Sequence, residues 1–135
     1  MATVSLIQYE DASPEVRAVF DDIKATRKVP DVNNFWKALA VHPALLKETW
    51  ARSREAMAPG ALDAVTKEMI YMAVSIANAC EYCIHSHTAS AFRKGMTQEQ
   101  YQELLAVVGL ASQTNALATA FQVPVDQQFL KGEEG

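Results

Sequence analysis

The sequence ACEYCIHSH, residues 79–87, contains both cysteines of the chain and two of its three histidines. On a helix, residues three or four positions apart share a face, so Cys80, Cys83 and His87 lie on one stripe. His85 lies off this stripe, about 200° around the helix from Cys83 at ~100° per residue. Two cysteines separated in this way on a helical turn can reach the Cα separation that a disulfide requires.

The stretch has three interpretations. A C-x-x-C pair in a chain without secretory features is typical of a redox dithiol. Two cysteines and a histidine are also good zinc ligands, and two small cysteines can simply be buried in a helical core. Structural zinc sites usually have four ligands, often from two such pairs, whereas this sequence contains one pair and one aligned histidine, which disfavours zinc.

The size and composition of the chain predict a single globular domain over residues 1–135. Half of the 135 residues are hydrophobic and 21% are charged, which argues against a disordered chain and is consistent with a buried subunit interface. The net charge of −4, with no cluster of Lys and Arg, argues against nucleic-acid binding. No signal peptide and no membrane-spanning run is predicted, so we expect a soluble cytoplasmic protein without a membrane partner.

Hydrophobic periodicity and capping signals predict an all-α chain of about six to seven helices and no strand. Ser13 followed by Pro14 predicts a helix start, Gly95 a helix end, and Thr97 with Gln100 a capping box. The predicted segments are an extended arm over residues 1–12, helices over 14–28, 35–41, 43–57, 62–78, 80–94 and 98–123, and a frayed tail over 131–135.

The same periodicity predicts which faces are buried. The helix that begins after His42 is expected to point Leu45, Leu46, Trp50 and Met57 inward, and His42 itself is interpreted as a capping or surface residue. The helix over 62–78 is apolar on most sides, including Ile70 and Val74, and is therefore expected to be buried. Gly109 is a candidate break in the last long helix.

Glu68 is the charged residue that this pattern makes most interesting. If the chain turns back near Asn78, an antiparallel helix pair places Glu68 beside His87, because each lies about ten residues from the bend. The alternative is an exposed Glu68 that pairs with Lys67 or with water. The functional hypothesis is a relay of Glu68, His87 and a thiol, in which the carboxylate takes up and releases a proton near neutral pH.

Together, Glu68, Cys80, Cys83 and His87 resemble the motif of the alkylhydroperoxidase D-like (carboxymuconolactone decarboxylase) superfamily, in its CxxC-bearing branch. The resemblance covers roughly residues 30–126 and is more specific than a lone CxxC. Neighbouring residues are also similar to this family: VPD at 29–31, HP at 42–43, LD at 62–63, AVS at 73–75, GMT at 95–97 and NALA at 115–118.

The resemblance implies an all-helical fold whose small subunits associate, commonly as trimers or hexamers. It implies a thiol peroxidase or disulfide reductase, in which Cys83 reacts with peroxide and Cys80 resolves the product. Glu68 and His87 would form the proton relay. The implied partners are a hydroperoxide and an external dithiol reductant, of a lipoyl or thioredoxin-like type, and no metal or organic cofactor is needed. Tyr82 stands where some members of the family carry a histidine.

Two points stay open at the level of sequence. Cys80 lies nearest the helix N-terminus, so the helix dipole favours it as the more acidic thiol, whereas the resemblance makes Cys83 the sulfur that reacts with peroxide. The rival functions are a carboxymuconolactone-type decarboxylase, whose members generally lack the CxxC pair, and a non-enzymatic scaffold that binds zinc or senses redox state.

Overall fold

The computed structural model describes residues 1–130, which form seven α-helices and one 3-10 turn and contain no strand. The all-α prediction is therefore confirmed for this part of the chain, and the predicted tail over 131–135 lies outside it. The helices are α1 (Pro14–Arg27), α2 (Asn34–Leu39), α3 (Pro43–Met57), α4 (Ala64–Ala77), α5 (Glu81–Arg93), α6 (Gln98–Ala120) and α7 (Gln127–Leu130).

The chain divides into two compact units, one over residues 1–58 and one from residue 59 onward. In the first unit, α1 begins where the Ser13 side chain accepts a hydrogen bond from the Val16 amide. Trp36 of α2 and Trp50 of α3 meet edge to face, with 5.5 Å between ring centroids. The buried residues of this core are Ala12, Val16, Phe20, Ile23, Val32, Trp36, Ala40, Leu46 and Trp50.

The N-terminal arm differs from the extended segment that the sequence predicts. Tyr9–Asp11 form a 3-10 turn. The Arg17 guanidinium donates to the carbonyls of Tyr9 at 2.9 Å and Glu10 at 2.6 Å, which holds the turn against α1. Of the residues of α3 that were expected to point inward, Leu46 and Trp50 are buried as predicted, whereas Leu45 is exposed because the helix turns it away from the core.

The second unit consists of an antiparallel hairpin of α4 and α5, with α6 packed against α4. Its core is built from Met72 of α4, Ala91 of α5, Met96 of the following loop and Leu104 of α6. A capping box on Thr97 begins α6 as predicted, because Thr97 and Gln100 each satisfy the other's free amide.

The turn between α4 and α5 ends one helix and starts the next within three residues. Ala79 adopts a left-handed conformation with φ of 54°. The Cys80 amide donates to the Ser75 carbonyl at 2.9 Å, and the Ala79 amide donates to the Ile76 carbonyl at 3.1 Å. This hydrogen-bond pattern is a Schellman motif, which satisfies the last carbonyls of α4 and reverses the chain. The bend near Asn78 is therefore confirmed.

Two expectations for this unit are wrong. Ile70 and Val74 of α4 are exposed, because α5 and α6 cover only part of the helix. Helix α6 continues through Gly109 without a break, since a glycine costs only about 1 kcal/mol within a helix that its other residues favour. At the end of α5, Gly95 follows the last turn with φ of 106°, a conformation that glycine adopts without steric cost.

Candidate active site

The two cysteines lie at the start of α5 and are joined by a disulfide. Cys80 precedes the helix as its N-cap, and its sulfur accepts a hydrogen bond from the Cys83 amide at 3.3 Å. The two Cα atoms are 5.3 Å apart, inside the range that disulfides require. The turn that reverses the chain therefore also places Cys80 within reach of Cys83.

Glu68 of α4 is buried, with 3% of its surface exposed, and it faces α5. Its Oε2 atom lies 2.7 Å from Nδ1 of His87. The prediction that the hairpin brings these two side chains together is confirmed. Cys83 and His87 are four positions apart on α5 and share a face, so the disulfide and the Glu68–His87 pair belong to one hairpin.

Two further donors bind the other oxygen of Glu68. Oε1 accepts a hydrogen bond from Ser90 Oγ at 2.9 Å and from Lys94 Nζ at 2.7 Å. The sequence analysis missed both residues. A signal was present, since Ser90 and Lys94 follow His87 by three and seven positions and therefore lie on the same helix face.

Burial raises the pKa of the Glu68 carboxyl, but the opposing interactions are larger in sum. Hydrogen bonds from His87, Lys94 and Ser90, together with the positive charge of Lys94, lower this pKa to about 2. The expectation that Glu68 exchanges a proton near neutral pH is therefore wrong. The carboxylate stays ionised because α5 surrounds it with donors and one cation.

The ionised state of Glu68 determines which nitrogen of His87 carries a proton. A carboxylate only accepts hydrogen bonds, so the short contact requires His87 to donate from Nδ1. In the neutral imidazole, Nε2 is then the nitrogen with a free lone pair. Glu68 thus orients a basic nitrogen at the other side of the ring.

Tyr71 is a further residue of the site that sequence reasoning missed. Its ring stacks on the His87 ring with 3.6 Å between centroids and an interplanar angle of 20°. It follows Glu68 by three positions on α4, so both residues point toward α5. Glu68 fixes one edge of the imidazole and Tyr71 covers one of its faces.

The other histidines lie outside this group. His85 is exposed on α5, as its position off the stripe predicts. His42 caps α3, with Nδ1 accepting a hydrogen bond from the Leu45 amide at 3.2 Å, which confirms its interpretation as a cap. Within residues 1–130, no three His, Cys, Asp or Glu side chains are grouped so as to hold a metal ion. No helix in this range has the length and apolar character needed to cross a membrane.

Comparison with known protein families assigns the chain to a family. The profile of the Carboxymuconolactone decarboxylase family matches residues 43–126, which span the Glu68, CxxC and His87 positions. The chain belongs to the carboxymuconolactone decarboxylase family. The disulfide and the buried Glu68–His87 pair are therefore features of a family member with a CxxC motif.

One solved structure and two curated relatives are similar to this chain. A crystal structure described as the alkylhydroperoxidase AhpD core from Rhodospirillum rubrum has a TM-score of 0.94 and 58% sequence identity, over 98% of this chain and 99% of that one. An uncharacterized protein of Cupriavidus necator is 31% identical over 59% of this chain and 72% of its own length. An uncharacterized protein from the cox locus of Paracoccus denitrificans is 42% identical over 41% of this chain and half of its own length. The fold is thus AhpD-like.

The lowered pKa of Glu68 predicts a specific dependence of stability on pH. A carboxyl with a pKa near 2 in the folded protein and near 4.5 when unfolded stabilises the fold above pH 4.5, and this contribution is lost as the pH falls toward 2. Between these pH values, the free energy of unfolding should fall by up to roughly 3 kcal/mol more in wild type than in Glu68→Gln.

Urea unfolding at a series of pH values measures this difference. Glu55→Gln, which removes an exposed carboxylate from α3, is the matched control and should follow the wild-type slope. Equal slopes for wild type and Glu68→Gln would contradict the assignment of a buried, ionised Glu68.

Proposed function

We propose that this protein is a thiol-dependent peroxidase that reduces hydroperoxides with the Cys80–Cys83 dithiol. The observation that carries the proposal is the disulfide at the start of α5, which shares its hairpin with the Glu68–His87 pair. A dithiol that closes to a disulfide beside an oriented histidine has the groups that peroxide reduction needs: a nucleophilic sulfur, a resolving sulfur and a base.

The first step forms a sulfenic acid. The Cys83 thiolate attacks one peroxide oxygen, the O–O bond breaks, and the alkoxide leaves with the bonding electron pair. His87, through Nε2, is the group proposed to accept the thiol proton and return it to the alkoxide, which leaves as an alcohol. Glu68 stays ionised throughout and holds the imidazole from Nδ1, so it orients the relay without carrying the proton itself.

The second step closes the disulfide. Cys80 attacks the sulfenic sulfur of Cys83, and the hydroxyl group leaves as water once it takes up a proton. The contact from the Cys83 amide and the N-terminal end of α5 both stabilise negative charge on the Cys80 sulfur. These contacts support Cys80 as the resolving thiolate. The helix dipole can therefore favour a Cys80 thiolate even though the reaction with peroxide begins at Cys83.

The third step regenerates the enzyme. An external dithiol, of a lipoyl or thioredoxin-like type, attacks the Cys80–Cys83 disulfide and becomes a disulfide itself. The overall change converts one hydroperoxide and one dithiol into an alcohol, water and one disulfide. We place this cycle in the cytoplasm, where such dithiols are kept reduced.

The second candidate function is a decarboxylase, which the family's description favours. That reaction neither needs a dithiol nor leaves a disulfide. Loss of carbon dioxide from a muconolactone-like acid, undiminished in Cys80→Ser and Cys83→Ser, would support it in place of the peroxidase.

We also propose that the protein is a homo-oligomer, a trimer or a hexamer. Val107, Leu110, Leu117 and Phe121 of the α6 region are all exposed. They are spaced by three, seven and four positions and therefore form one stripe at the spacing of a helix–helix seam. A contiguous apolar stripe of this kind is typical of a surface that a second copy covers.

The peroxidase proposal predicts different outcomes for the two cysteines. Wild type should consume one equivalent of peroxide per dithiol and form the Cys80–Cys83 disulfide. Cys83→Ser should lose peroxide consumption, whereas Cys80→Ser should accumulate a sulfenic acid on Cys83 that a dimedone-type reagent traps, detected by mass spectrometry. Loss of reactivity in Cys80→Ser with retention in Cys83→Ser would reverse the two roles.

The oligomer proposal predicts a mass three or six times that of the 14.8 kDa chain by light scattering. Leu110→Glu, which places a charge on the stripe, should lower the mass. Ser112→Glu adds the same charge to an exposed position of α6, about 160° around the helix from Leu110 at ~100° per residue, and should leave the mass unchanged. A monomeric wild type at micromolar concentration would refute the proposal.

A further inference from the structure

The two oxygens of the Glu68 carboxylate have different partners. Oε2 contacts Nδ1 of His87, whereas Oε1 accepts hydrogen bonds from Ser90 and Lys94. Both oxygens of the carboxylate therefore have hydrogen-bond partners. Within residues 1–130, the lysine cation that contacts Glu68 is Lys94, which binds the oxygen away from His87. Charge-assisted hydrogen bonds of this kind are about twice as strong as neutral ones.

We propose that Lys94, assisted by Ser90, is a positioning residue of the relay: it binds Oε1 of Glu68 so that Oε2 accepts the Nδ1 proton of His87 and Nε2 is left as the base. This proposal rests on the proposed function, because it assigns a role within the same relay. Lys94 acts on His87 through Glu68, because Lys94 binds Oε1 of the carboxylate and His87 binds Oε2.

The geometry of α5 supports this role. His87, Ser90 and Lys94 lie on one face of the helix, so a single carboxylate on α4 can meet all three. Lys94 is the residue that ends the helix, and 37% of its side chain is exposed, whereas only 4% of the Glu68 side chain is exposed. The ammonium thus keeps part of its hydration while it neutralises a buried charge, which reduces the desolvation cost of the pair.

Removal of Lys94 changes the balance at Glu68. Without Lys94 the buried carboxylate loses the positive charge that lies beside it, which favours uptake of a proton by the Glu68–His87 pair. The imidazole is the more basic of the two groups, so it takes this proton on Nε2 while Nδ1 still donates to Glu68. Nε2 then has no lone pair to act as a base, and proton transfer from the thiol is lost.

The other elements around Glu68 add no second cation to the described site. In the described part of the chain, His87 of α5 and Lys94, which caps the same helix, are the titratable groups that contact the carboxylate. Helix α6 contributes Leu104, Val108 and Tyr101 to the cluster against α4, and the Tyr101 ring packs on Phe92. A change in the protonation of His87 in a Lys94 variant therefore reports on the Lys94–Glu68 contact.

The test measures the protonation of both His87 nitrogens directly, by ¹⁵N NMR of the imidazole in the full-length reduced protein, at a pH where the wild-type ring is neutral. Wild type should carry its proton on Nδ1. Lys94→Met should carry protons on both Nδ1 and Nε2 and should reduce peroxide about a hundredfold more slowly, the loss expected when a general base is removed. Lys94→Arg keeps the charge and should recover the neutral ring, with its proton on Nδ1, and most of the rate.

Arg93→Met is the matched control, because it removes an exposed positive charge from the same turn of α5. It should leave both the tautomer and the rate as in wild type. An Nε2 without a proton in Lys94→Met would overturn the proposal, and so would an Nε2 proton in wild type, a result that needs no variant to fold. A wild type without peroxidase activity would refute the proposed function, while the protonation of His87 would still decide the role of Lys94.

Discussion

A buried carboxylate on α4 is the constraint on which the second unit depends. An ionised group out of water is tolerated only where charge and hydrogen bonds replace its hydration. Among the described residues, Glu68 accepts hydrogen bonds from His87 and Ser90 of α5 and from Lys94, the residue that caps this helix. A buried carboxylate that is left without its partners is strongly destabilising, so a register of α4 against α5 that separates Glu68 from them is disfavoured. The pairing thus fixes both the direction and the register of the hairpin.

The same register prepares the chemistry. His87 and Ser90 can reach Glu68 only if α5 begins close to the end of α4. The chain accordingly reverses at Ala79, and the helix starts directly after Cys80. A short reversal leaves the first cysteine as the helix cap and the second one turn later, the separation that a disulfide requires. The interaction that stabilises the hairpin and the one that orients His87 are therefore the same interaction.

The sequence predicted those features that depend on local signals. Helix starts at Ser13 and Thr97 follow from capping, and the Glu68–His87 contact follows from equal distances to a bend. The partners Ser90 and Lys94 were missed because a serine and a lysine on a helix look like ordinary surface residues until the facing carboxylate is known to be buried.

Other features could not be predicted because they depend on what packs where. The exposed Ile70 and Val74 carry the same periodic signal as a buried face, since periodicity identifies an apolar stripe but not its neighbour. The low pKa of Glu68 could not be predicted because it depends on how many donors surround the carboxylate.

The pKa of Glu68 can be measured directly by a ¹³C NMR titration of its side-chain carboxyl. We expect a constant chemical shift from neutral pH down to about pH 4 and a change only toward pH 2. A titration at or above the ordinary value of 4.5 would contradict this expectation.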